Sequence, residues 1–201
     1  MNAEILNLSL EHLELVAIAI AVAAGIGLPA AVGLTRRAGA RRWALGLANI
    51  AQTIPSLALF GFLLPLPWIG GIGKRTAIVA LCLYALLPIL RNTLTGILGV
   101  DRGVCESALA MGMTRRQILW QVELPLALPS IVAGLRIATV TTIGTATIAA
   151  AIGAGGLGVF IFRGLAMFDK ATVLAGAVPA ALMALAADEG LEWIERRLSR
   201  A

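Results

Sequence analysis

One histidine, two cysteines and one tyrosine are all that 201 residues carry of the side chains most used for metal, disulfide and cation-cage chemistry. His12 has no thiol or carboxylate cluster at ligand spacing, so neither a zinc site nor a haem or iron–sulfur site is indicated. Its place at the head of the first apolar run makes it an interfacial residue. Cys82 falls inside an apolar run and Cys105 in a polar loop, so the two thiols belong to different phases and form no disulfide framework. Charge is scarce too: Asp, Glu, Lys and Arg make up 13% of the chain against 59% apolar residues, about half the charge of an ordinary soluble domain. A water-soluble core of this size could not bury so much. The net charge of +5 does not indicate nucleic acid, because the basic residues sit between apolar runs rather than on a soluble face with exposed aromatics. No nucleophile with a base, and no pair of acidic residues at span depth, marks an intramembrane hydrolase. No catalytic residue and no metal site are assigned. Asp188 and Glu189 fall at the end of the last apolar run, where they meet water and arginine heads.

What is abundant is apolar length. A helix needs about 20 apolar residues to cross about 30 Å of hydrocarbon, and five stretches qualify: about Leu13 to Leu34, Trp43 to Leu66, Thr76 to Leu98, Ser130 to Ile152, and the shorter Ala171 to Ala187. The chain therefore reads as an all-α polytopic membrane protein, one transmembrane domain over residues 1–201, in contact with membrane lipid. Glu4, Glu11 and Glu14 stand where a cleavable signal would carry basic residues, so no segment is expected to be removed. Arg36, Arg37, Arg41, Arg42, Arg102, Arg115, Arg116, Arg196, Arg197 and Arg200 all fall between or after spans on one side; the other side has only Lys74, Arg75, Arg163 and Lys170. Positive charge stays inside. The N-terminus is then expected outside and the C-terminus in the cytoplasm.

Two segments depart from the pattern of span and turn. In the loop from about Gly99 to Pro129, Asp101 can cap one helix, and Thr114 with Gln117 has capping-box spacing for a second. Pro125 is expected to end that second helix. From helical pattern alone this is either a surface-lying amphipathic loop or a projecting element. From Gly153 to Asp169, four glycines precede an apolar stretch, which predicts an outer turn and a short re-entrant or interfacial helix. Those glycines also spell G-x-G-x-x-G, but without the strand before and the helix after that a dinucleotide site requires. Lys74 fails as a phosphate-loop lysine, since the glycine required before Gly73 is Trp68.

Within the spans, Arg91 and Arg136 each lie about 10 Å from the cytoplasmic end at about 1.5 Å per residue. They either snorkel to headgroups or stand at the inner mouth of a water-filled path. Thr139, Thr142 and Thr145 follow Arg136 at helical spacing. They either line that path or bond to neighbouring carbonyls. Asp188 and Glu189 are the candidate charge partners.

The loop carries the specific signal. Glu106, Ser107 and Ala108 precede Gly112, and Val122, Glu123, Leu124 and Pro125 follow after nine residues. This resembles the EAA loop of binding-protein-dependent ABC importer permeases, with Ser107 in place of the second motif residue and Val122 in place of Ile. The stretches Gln52–Ala58, Tyr84–Asn92, Val122–Pro129 and Ile152–Gly158 are similar to the osmoprotectant branch of those permeases, which imports glycine betaine, choline or carnitine. The resemblance implies a type I ABC importer permease fold in a bacterial or archaeal cytoplasmic (inner) membrane. It implies as partners cytoplasmic ATPase subunits, a second permease copy or homologue, and an extracytoplasmic solute-binding protein. ATP and Mg²⁺ would belong to the ATPase, with no cofactor in this chain. Glu106, Ser107, Ala108, Gly112, Val122, Leu124 and Pro125 would form the coupling element, with Met111, Met113, Ile118 and Leu119 as its apolar contact and Arg115 and Arg116 at the rim. An amino-acid or other betaine permease, a passive channel and a membrane scaffold are the alternatives.

Overall fold

The computed structural model describes residues 2–199, and Arg200, counted above with the cytoplasmic set, lies outside them. Within them the chain runs α1 (Asn2–Leu34), α2 (Ala38–Thr53), α3 (Ser56–Leu63), α4 (Lys74–Leu98), α5 (Arg102–Ala110), α6 (Arg115–Ile118), α7 (Leu124–Ala146), α8 (Gly158–Ala166) and α9 (Lys170–Leu198). Four helices are long and apolar enough to span a bilayer, and a fifth span results if the bent pair α2–α3 is counted as one. At about 1.5 Å per residue, α1 with its 33 residues exceeds the hydrocarbon thickness and extends three turns beyond the span expected from Leu13. The segment Gly153–Asp169 forms the short helix α8 as expected, preceded by a 3₁₀ turn over Ile148–Ile152.

Three expectations about where helices break and end are corrected. The second span is not continuous, because it breaks at Ile54–Pro55 and its halves meet at 102°. Proline disfavours helical backbone in its predecessor, and Ile54 is extended at φ −70°, ψ 128°. Pro125, by contrast, does not end a helix: it sits in the first turn of α7, and helix runs unbroken from Arg115 to Ala146. The reason is a π turn over Leu119–Glu123, closed by Leu124 N–H donating to the Leu119 carbonyl. That wider turn relieves the ring clash and missing donor that a proline brings. The last helix continues past Ala187 to Leu198, where Arg196 pairs with Glu192 one turn earlier at 2.6 Å.

Helix α4 is the hub, packed against α1, α2, α3 and α7, while α9 lies outside on α7 and α8. The core is built from small residues: Ala19, Ala23, Ala31, Ala77, Ala80, Ala85, Ala138 and Ala146 are fully buried. In lipid, where apolar surface alone drives no association, close backbone approach through small residues is what holds helices together. Gly134 marks a tight α4–α7 crossing, since a Cβ there would stand 2.7 Å from that of Asn92.

At the end of the bundle where α1 begins, its head ties down α4, α8 and the glycine-rich turn. Glu14 pairs with Lys74 at 2.6 Å and Glu4 with Arg163 at 2.9 Å, and Gly156 N–H donates to Glu11 Oε2 at 3.2 Å. His12 is fully buried rather than interfacial, with Nε2 donating to the Ile143 carbonyl at 3.0 Å. The turn closes over it because Gly156, at φ +77°, leaves room: a Cβ there would lie 3.0 Å from His12 Nδ1. Asp169 caps α9, and hydrogen bonds from the Thr172 hydroxyl and the Ala171 N–H hold its carboxyl below the usual range.

Candidate functional site

The loop between α4 and α7 is built by local chemistry at each joint. Asp101 Oδ1 accepts from the N–H groups of Gly103 and Val104 and starts α5. The helix ends in a Schellman turn: Gly112 N–H donates to the Leu109 carbonyl and Met113 N–H to that of Ala108. This turn needs a left-handed residue, and Gly112 supplies it at φ +86°. Thr114 and Gln117 then close a complete capping box that starts α6. Because α6 passes through the π turn into α7, the projecting element is the end of a 32-residue rod that reaches deep into the helix bundle.

Within this element Glu106 and Ser107 are exposed, and the Ser107 hydroxyl donates to the Gly103 carbonyl of its own helix. Ala108 is buried under the bend, Val122 and Leu124 are half-buried, and Pro125 is exposed. Ile118 does not offer apolar contact outward as expected, because it is only 7% exposed and turns into the loop. Met111 is exposed as expected, and Val104 and Leu109 join it as outward apolar surface, with Arg115 and Arg116 exposed beside it. Val104 and Leu109 were missed because a nine-residue helix carries too short a pattern to show its outer face. A groove of about 290 Å³ under the loop is lined by Arg36, Cys105, Glu106, Arg115 and Glu123. Arg36 Nη2 donates to the Arg115 carbonyl at 2.8 Å, tying the α1–α2 turn to the second loop helix. Burial pushes the Cys105 thiol up, and the carboxylates of Glu123, Asp101 and Glu106 push it further the same way.

The residues proposed for the spans fall in two places. Arg136 on α7 faces α9, 3.5 Å from Glu195, 3.7 Å from Asp188 and 3.7 Å from Glu192. Asp188 is a partner as expected, whereas Glu189 is exposed and is not among the carboxylates Arg136 meets. Thr139 and Thr145 donate to the carbonyls of Leu135 and Thr141 in their own helix, and Thr142 is buried. Thr139 also borders an apolar crevice of about 600 Å³ between α1, α7 and α9. Arg91 lies apart from this group, exposed on α4.

A family profile described as "Binding-protein-dependent transport system inner membrane component" matches residues 17–200. The chain belongs to that family. This permease is 44% identical over 200 residues, all of its length and 91% of the relative's, to the choline transport system permease protein OpuBB of Bacillus subtilis. It is 47% identical over 189 residues, 94% of its length and 83% of the relative's, to the carnitine transport permease protein OpuCD of Listeria monocytogenes. Among solved structures it resembles the inward-facing MetNI methionine ABC transporter, with a TM-score of 0.88 and 26% identity over 98% of this chain and 97% of that one. The permease is thus a multi-pass inner-membrane component of an ABC importer, with the fold of that class. In the loop from Glu106 to Pro125, a capped helix, a glycine bend and the end of a 32-residue rod follow one another directly.

Proposed function

We propose that this permease carries quaternary-amine osmoprotectants, of the class of choline, glycine betaine and carnitine, inward across the cytoplasmic membrane. The observation that carries the reading is full-length identity of 44% to a choline permease, against 26% to a methionine transporter of the same fold. In this reading the N-terminus is outside, and the cytoplasmic end bears α5 and α6. Two ATPase subunits bind ATP with Mg²⁺ and receive the face made by Val104, Leu109 and Met111. Their closure pushes on Gly112 and Thr114, and the unbroken helix from Arg115 to Ala146 carries the displacement into the bundle, where a second permease copy or a homologue completes the path. Energy enters as a changed preference between two conformations rather than as bond chemistry in this chain. Solute choice rests chiefly with an extracytoplasmic binding protein, whose aromatic side chains suit a quaternary ammonium.

The test is uptake in a host stripped of its own osmoprotectant importers, carrying this permease with its cognate ATPase and binding protein. At equal external concentration, at least one of choline, glycine betaine and carnitine is expected to enter at least tenfold faster than methionine. Uptake of methionine or another primary amino acid with none of the quaternary amines would contradict the reading.

A further inference from the structure

The break in the second span is not a loose end. Pro88 has no N–H, so the Tyr84 carbonyl four residues before it is left without its helical donor. Gln52 Nε2 fills that gap, donating to the Tyr84 carbonyl at 2.7 Å, and the Tyr84 hydroxyl donates to the Ile54 carbonyl at the break itself. A proline gap in α4 and a proline break after α2 therefore satisfy each other. At about 1.5 Å per residue, Tyr84 lies about 15 Å from the Lys74 end of α4 and about 21 Å from the Leu98 end. The joint is near the middle of α4, a helix long and apolar enough to span the membrane.

Its surroundings are polar and open. Arg42, Asn49, Gln52 and Thr53 form an exposed stripe along α2, distinct from the exposed apolar stripe of Trp43, Leu47 and Ile50. On α4 the exposed Arg91 and Thr95 continue the face of Tyr84 at helical spacing. Interrupted backbone at membrane depth persists only where protein covers it or water reaches it, and an arginine at that depth has the same requirement. Trp43, Leu47 and Ile50 suit lipid; the stripe beside them does not. The α2 helix also ends at the break, so its last carbonyls form a partially negative pole at the joint.

We propose that this break is a solute contact point: the path runs along Asn49, Thr53, Ser56, Arg91 and Thr95, and the carbonyl end of α2 receives the quaternary ammonium group in transit. The proposal rests on the functional reading above for the identity of the solute, but not for the position of the path. The test uses the complete transporter in membrane vesicles, with Cys82→Ala and Cys105→Ser as the background. Thr53→Cys, Ser56→Cys and, for comparison, Leu182→Cys in the exposed apolar stripe of α9 are each treated with 2-(trimethylammonium)ethyl methanethiosulfonate, a water-borne reagent that is itself a quaternary amine. The two break positions are expected to react at least tenfold faster than Leu182→Cys, and ATP with choline or glycine betaine to slow them at least threefold. Reaction as slow as at Leu182→Cys in a complex that still transports would overturn the path, showing the break sealed or facing lipid. Fast reaction with no change on adding solute would overturn the contact point. Loss of quaternary-amine uptake in favour of another solute, with fast labelling retained, would instead strike the functional reading and leave the path standing.

Discussion

Replacing Gly112 by valine is expected to abolish transport while leaving the permease folded in the membrane. Gly112 holds φ +86° with no atom near the position its Cβ would take, so the penalty is confined to the backbone. A β-branched residue in that region costs about 1–3 kcal/mol, and the loop can escape only by opening the Schellman turn that sets α5 against α6. The helix bundle is not touched, so membrane abundance should stay within about twofold. Solute-stimulated ATP hydrolysis and uptake should both fall at least tenfold, because the force-bearing bend no longer has one shape. Gly112→Asn should retain a substantial part of both, since asparagine tolerates the left-handed conformation. Full uptake by Gly112→Val at normal abundance would show that the bend does not transmit force.

Gly158→Ala should have the opposite signature, loss of the protein itself. A Cβ at Gly158 would stand 1.8 Å from the Thr147 carbonyl oxygen and 2.8 Å from Ala150 Cβ. The obstacle is backbone, so no side-chain rotation relieves it, and α8 must lift off the turn that joins it to α7. Overpacking of this kind costs about 3 kcal/mol at the upper end of its range, roughly a hundredfold in the folded-to-unfolded ratio. Detergent-extracted protein should show sharply reduced abundance and an earlier thermal transition. Gly25→Ala is the control, because nothing lies within 4 Å of its Cβ position. Equal abundance of the two variants would mean that the α7–α8 turn is not the rigid closure described here.

Local chemistry was legible in the sequence wherever one or two residues decide the geometry. Asp101 and the Thr114–Gln117 box each act within four residues of themselves, and both cap helices as read. The break at Ile54–Pro55 was not legible, because apolar length counts residues and proline alone is ambiguous. Pro29, Pro88, Pro129 and Pro179 lie inside helices, and what marks the break at Pro55 is the Tyr84 hydroxyl, which α4 supplies to the Ile54 carbonyl. The Pro125 error has the same root, since the π turn that accommodates it leaves no mark in the pattern of apolar residues. Burial of His12 depends on closure of the turn at Gly156, over a hundred positions away in the chain. Of Arg136's partners, Asp188 could be named because it ends an apolar run. Glu192 and Glu195 could not, because the helix that carries them continues past that run on charged residues.

The most direct measurement of the central claim is solute accumulation in proteoliposomes containing the purified permease with its ATPase, loaded with ATP and Mg²⁺ inside the compartment that faces the α5–α6 loop. With binding protein and a labelled quaternary amine on the opposite side, solute is expected to concentrate well beyond equilibrium, at least tenfold, and not to do so when ATP is replaced by a non-hydrolysable analogue. Entry that stops at equal concentrations on both sides, with or without ATP, would identify a passive channel and contradict the account.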